Sequence, residues 1–176
     1  MTILYENVRD IIQTGDLLQW RSATALGWLI RKFSKAKDNH TGGAVLFKEY
    51  QGKERRRFTL EALEHGYVLN LLSRRLGSHK GECYWHALKP EFRIFRVPIG
   101  IEMLKFCGVP YDYGSLFRQV FGHVSANARN LFCSEAIYLA CRDAGCPIPD
   151  EWITTAPQPG DMTALRLWDE IGVKIK

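Results

Sequence analysis

The run from His40 to Leu63 constrains this chain more than any other segment. Two apolar-alternating stretches, roughly 40–48 and 55–63, flank Tyr50-Gln51-Gly52-Lys53. A period of two interrupted by a short break containing glycine reads as a β-hairpin. With Gln51-Gly52 as a two-residue turn, Tyr50 pairs with Lys53 and all paired positions sum to 103. His40 then lies opposite Leu63, and Glu61 lies opposite Gly42. Glu61 is thus diagonal to His40 on one face, about 7 Å away between Cβ atoms. Gly42 leaves space beside it, and Phe58, Leu60 and Ala62 point to the other face. A slip of one residue would put the two polar groups on opposite faces.

A second signal lies in Phe132-Cys133-Ser134-Glu135. Cys133, Ala136, Ile137, Ala140, Cys141 and Ala144 recur at helical spacing, and Gly145, Pro147 and Pro149 stop the helix. The pattern predicts Cys133 in the first turn, beside unsatisfied N–H groups and the positive end of the macrodipole, both of which favour thiolate. The alternative is a small buried hydrophobe.

Around these two signals the chain alternates types. Residues 2–13 predict a short helix, 15–20 a turn into a strand, and 22–34 a second helix. Strands are expected near 66–72, 83–88 and 92–97, with a basic loop at 73–82, a helix near 100–107 and a proline-rich tail. Helices flanking a run of antiparallel strands make an α+β arrangement. The length of 176 residues suits one domain spanning 1–176.

The start of the chain lacks a basic segment followed by an apolar one, and no apolar run approaches the ~20 residues that span a bilayer. A soluble, cytoplasmic protein is expected. Five cysteines without an export signal are expected to be reduced. His79-x3-Cys83-x2-His86 is a weak zinc candidate, because Cys83 and His86 in one strand point to opposite faces. The net charge of +5 comes largely from runs such as Arg55-Arg56-Arg57 and Arg74-Arg75. These read as solvated decoration or as a surface for anions; no nucleic-acid motif accompanies them.

A cysteine nucleophile needs a base and a group that fixes the imidazole tautomer. Register selects His40 and Glu61, with His123, close to Cys133 in sequence, as the rival base. Glu64 would point away, His65 and His79 sit in loop-like surroundings, and Glu135 suits a charge role near the helix start.

The order Gly15-Asp16-Leu17-Leu18, Asn39-His40-Thr41-Gly42-Gly43, Leu60-Glu61-Ala62, Pro110-Tyr111-Asp112-Tyr113 and Phe132-Cys133-Ser134-Glu135 resembles the circularly permuted NlpC/P60 cysteine hydrolases. It is most similar to their YiiX/YebB-like branch, related to lecithin:retinol acyltransferase. The resemblance covers roughly residues 15–145. It implies a permuted papain-like fold, an antiparallel sheet or partial barrel with the nucleophile at the N-terminus of a packed helix. It makes Cys133 the nucleophile, His40 the base, Glu61 the orienting residue and Tyr111 part of the site lining. Gly42-Gly43 and the long 115–130 segment depart from the family pattern.

The resulting expectation is a thiol hydrolase or acyltransferase that cleaves an amide or ester through a thioester, with a cell-wall peptide amide as one substrate class. Substrates would be small-molecule, peptide or lipid-acyl, and neither metal nor cofactor is required. Trp20 and Tyr113 join Tyr111 as candidate substrate-binding residues, with Phe117 a further aromatic. A non-catalytic ligand- or lipid-binding module that keeps the fold is the alternative.

Overall fold

A computed structural model describes residues 2–22, 38, 40–63, 66–109, 128–153 and 157–176; of Ser22 and residues 128–133 only the backbone is described. The helix expected over 22–34 lies outside the described residues. Among the described residues seven strands form one sheet in the order β1-β7-β6-β2-β3-β4-β5. They are β1 (Thr2–Ile3), β2 (Leu17–Ser22), β3 (His40–Tyr50), β4 (Lys53–Leu63), β5 (Gly66–Leu71), β6 (Gly81–His86) and β7 (Val173–Ile175). All neighbours are antiparallel except β1 and β7. Among the described residues, helices are α1 (Tyr5–Val8), α2 (Leu72–Ser78), α3 (Arg96–Lys105) and α4 (Ala128–Asp143). The architecture is α+β.

The β3–β4 hairpin has the register read from its sequence. Tyr50 pairs with Lys53, Phe58 with Val45 and Glu61 with Gly42, each pair summing to 103. Gln51 and Gly52 have φ of 50° and 67°, the left-handed pair of a type I′ turn, whose twist matches that of the strands. The ladder skips Lys48 and Arg55, where Arg55 takes a φ of 53°, and resumes in the same register at Glu49–Glu54.

The sheet is covered on both faces. Leu17, Val45, Phe58 and Leu60 meet Ile99 and Met103 of α3 and Ile137 and Tyr138 of α4. Leu18, Trp20, Ala44, Cys83 and Trp85 pack with Tyr5, Val8 and Ile12 and with Leu72 of α2 on the opposite side. Each fully buried large apolar side chain contributes about 1.5–3 kcal/mol, so both layers matter to stability.

Three local expectations differ from the structure. Most of the supposed basic loop is helix α2, which buries Leu72. The 92–97 stretch, alternating in sequence, is a 3-10 helix over Pro90–Phe95 that runs into α3. Proline at its start removes a ladder donor, and Ile99 and Met103, four residues apart, supply the buried stripe. The tail contains β7, which pairs with both β1 and β6.

The turn before β2 is held by a buried carboxylate. Asp16 is 1% exposed. Its Oδ2 accepts from the Gln13 N–H and Trp85 Nε1, both at 2.9 Å. Its Oδ1 accepts from the Leu88 N–H at 3.0 Å and Arg96 Nη1 at 2.6 Å. Gly15, at a φ of 86°, makes this turn possible, and Trp168 Nε1 donates to its carbonyl at 2.8 Å. One side chain thereby ties β2 to the end of β6 and to α3.

Candidate active site

His40 opens β3 and Glu61 stands near the end of β4. Their diagonal placement brings His40 Nε2 to 2.9 Å from Glu61 Oε2. The Glu61 side chain is fully buried, while that of His40 keeps 18% exposure. Gly42 is required for this packing, since a Cβ there would stand 2.7 Å from Thr59 Oγ1 and 2.9 Å from Glu61 Cγ. Gly42→Ala should therefore cost about 1–3 kcal/mol of stability through overpacking, read as a lower urea midpoint.

A third residue, not anticipated from the sequence, completes the cluster. Arg75 of α2 donates through Nε to both Glu61 oxygens at 3.0 Å. Its guanidinium lies 4.7 Å over the Trp20 ring, and its Nη1 donates to His79 Nδ1 at 3.2 Å. Leu72, Arg75, Leu76 and His79 share one helical stripe, the spacing that would have marked Arg75 as inward-facing. Trp20 is accordingly a buried support under Arg75, edge-on to His79, and is not exposed to substrate in this structure.

Electrostatics follow from these contacts. Burial pushes the Glu61 carboxyl up, but the His40 hydrogen bond and the His40 and Arg75 charges outweigh it and hold it below the usual range. An ionised Glu61 accepts from His40, so Nε2 carries hydrogen and Nδ1 is the nitrogen that can take a proton. Burial, then the Arg75 charge, lowers His79, whose Nδ1 must stay unprotonated to accept from Arg75.

Cys133 is the sixth residue of α4, because the helix begins at Ala128. The expected first-turn position is therefore not observed. Residue 133 lies past the unsatisfied N–H groups, so its own amide is not an oxyanion donor. Ala128-Arg129-Asn130-Leu131-Phe132 continue the helix ahead of the stripe counted from Cys133, which is why that stripe placed the start too late. Further along α4, Ala136 packs with Ala62 and Tyr67. Ile137 abuts Gly43, three residues from His40. Gly43 and Ala62 face α4, whereas Gly42 and Glu61 face the other side of the sheet.

Beyond Cys133, Glu135 is 7% exposed, and its Oε2 has no partner among the described residues. Burial pushes its carboxyl up to about 7. Tyr111, Tyr113, Phe117, His123 and His65 lie outside the described residues, as does Glu64. Cys83 is packed in the core and His86 Nδ1 donates to the Asp169 carbonyl at 2.8 Å. Among the described residues no group of three or more His, Cys, Asp or Glu side chains is placed to hold a metal. Also among them, no helix is long and apolar enough to cross a membrane.

No protein-family model matches this chain. No curated protein is similar to it. Among solved structures, it is similar to metalloprotein yiiX from Escherichia coli O157:H7, with a TM-score of 0.55 and 19% identity. The match covers 75% of this chain and 66% of that one. The likeness establishes a YiiX-like fold. That neighbour's name refers to a metal; here the strongest donor pair, His40 and Glu61, shares its carboxylate with the Arg75 cation, which opposes a metal cation at the same oxygens. Among the described residues none fit one.

Proposed function

We propose that this chain is a thiol hydrolase or acyltransferase acting on an amide or ester, with Cys133 as nucleophile, His40 as base and Glu61 as the group that orients the imidazole. The observation that carries this reading is the buried Glu61 carboxylate on His40 Nε2 at 2.9 Å, braced by Arg75. A buried anion fixing one imidazole tautomer is the arrangement a general base requires. His40 is the first residue of β3 and shares the Glu61 face of the sheet, so the reading requires the thiol of α4 to reach Nδ1 around the end of the sheet.

In the proposed reaction Nδ1 takes the Cys133 proton and the thiolate attacks the carbonyl carbon. Collapse of the tetrahedral intermediate breaks the bond to nitrogen or oxygen, and His40 returns the proton to the leaving group. Water, or an acceptor alcohol or amine, then gives its proton to His40 and displaces the thiol. A cell-wall peptide amide and an acyl ester are both within this chemistry, and Tyr111 and Tyr113 are the proposed lining.

A second reading, a binding module that keeps the fold, draws on Cys133 standing at the sixth position of α4 instead of the first turn. Alkylation separates the two. Iodoacetamide should label Cys133 at pH 6 at least ~10-fold faster than the exposed thiol of Cys107, since reactivity follows thiolate content. His40→Ala should remove that advantage. Equal labelling of Cys133 and Cys107 in the parent protein would leave only the binding module.

A further inference from the structure

The two basic runs, far apart in sequence, meet in one place. Lys53 and Arg56 of β4 and Arg74 of α2 line an open groove of about 1260 Å³ beside β5, with no acidic residue among the described residues of its wall. Elsewhere arginines are commonly matched with carboxylates, as in Arg21–Asp38, Arg75–Glu61 and Arg96–Asp16. Lys53, Arg56 and Arg74 have no such partner among the described residues. Phe58, Leu69 and Leu71 provide the apolar floor.

The groove also runs along an edge strand whose outer side, among the described residues, is paired only at Tyr67. β5 ends the sheet, and its sequence, Gly66-Tyr67-Val68-Leu69-Asn70-Leu71, carries neither charge nor proline, the usual devices against strand addition. Tyr67 shows which backbone groups point outward: its N–H donates to the Val109 carbonyl and its carbonyl accepts from the Gly108 N–H. Alternation in an antiparallel strand directs the N–H and C=O of Leu69, and the N–H of Leu71, the same way. These stand next to the unmatched cations.

We propose that the β5 edge binds an extended acidic peptide segment of a partner protein, which pairs with Leu69 and Leu71 and places its carboxylates against Arg56, Arg74 and Lys53. An open edge gives main-chain affinity and the flanking charges give specificity. A second copy of this chain is a poor occupant, because the same cations would face each other and the chain carries a net charge of +5.

Fluorescence anisotropy with the full chain and a labelled Glu-Val-Glu-Val-Glu-Val peptide tests this. Saturable binding is expected, weaker with added salt and at least ~10-fold weaker when Lys replaces Glu, about the 1.4 kcal/mol that one charged contact supplies. Arg56→Ala with Arg74→Ala should weaken it by a similar factor; Arg74→Glu alone, at an exposed position, gives the same direction if the pair fails to fold. N-methylation of alternate peptide amides should also weaken it ~10-fold. Three results would overturn the proposal: no saturable binding, binding indifferent to N-methylation, or sedimentation showing a dimer that the acidic peptide does not dissociate.

Discussion

Asp16→Ala is expected to unfold at a far lower urea concentration than the parent and to be largely unfolded at 37 °C. The substitution leaves the Trp85 indole N–H and the amides of Gln13 and Leu88 without their acceptor, and strips Arg96 of its carboxylate. Each orphaned neutral donor costs about 1–3 kcal/mol, and breaking a buried ion pair alone costs about 3–5 kcal/mol. Whole domains are stable by only about 5–15 kcal/mol. Asp16→Asn should rescue little, because its amide NH2 would face donors. A loss below about 1 kcal/mol would show that water or a rearranged turn replaces the carboxylate. The Gly-Asp pair that begins the family-like motif order is, on this account, a structural rivet.

Glu61 carries the second large effect, on reactivity and on stability together. Glu61→Gln keeps the shape but presents a neutral amide to His40 and Arg75. Loss of the tautomer-fixing anion should slow Cys133 alkylation at pH 6 by at least ~10-fold; in triad enzymes the comparable change costs about 10⁴ in turnover. Glu61→Ala, which leaves Arg75 without its partner, should also lose about 3–5 kcal/mol. The pH dependence has a definite sign. The folded carboxyl sits below its unfolded value, so ionised Glu61 contributes its full stabilisation above the unfolded range near pH 4.3 and loses it as pH falls through the folded value. The parent should therefore lose stability in that acid window, and Glu61→Gln should lose less there. Identical acid limbs in urea titrations of the two proteins would assign the loss to other groups.

The hairpin was legible because its information is local. A period of two, a Gln-Gly turn and a buried face leave one register, and that register alone sets His40 beside Glu61. Arg75 was not legible in the same way, since Arg74-Arg75 reads as a solvated pair. Only one turn of a seven-residue helix sends Arg74 outward and Arg75 in. The Phe92–Val97 run misleads because its alternation of apolar and basic residues fits a strand, while the deciding contacts come from burial of Ile99 and Met103. β7 is three residues long and carries no signal of its own; only its partners β1 and β6, on either side of it in the sheet, mark it as a strand. The start of α4 mixes Ala128, Leu131 and Phe132 with Arg129 and Asn130 and carries no capping signal that separates it from the stripe counted from Cys133.

That position between β1 and β6 ties the timing of folding to a strand far from β1 in sequence. Thr2 pairs with Lys174, Tyr5 N–H reaches the Lys176 carbonyl, and Lys176 N–H reaches Ile3. No pairing in the sheet spans a longer separation, and the entropy of closing so large a loop must be met before any of its contacts form. On the ribosome, strands β2 to β6 can assemble as they emerge, but β1 has no place in the sheet until β7 follows, because only β7 joins it to β6. Until β7 has emerged the nascent protein presents β6 as an unpaired sheet edge, and this is the interval in which strand addition by another chain threatens it most.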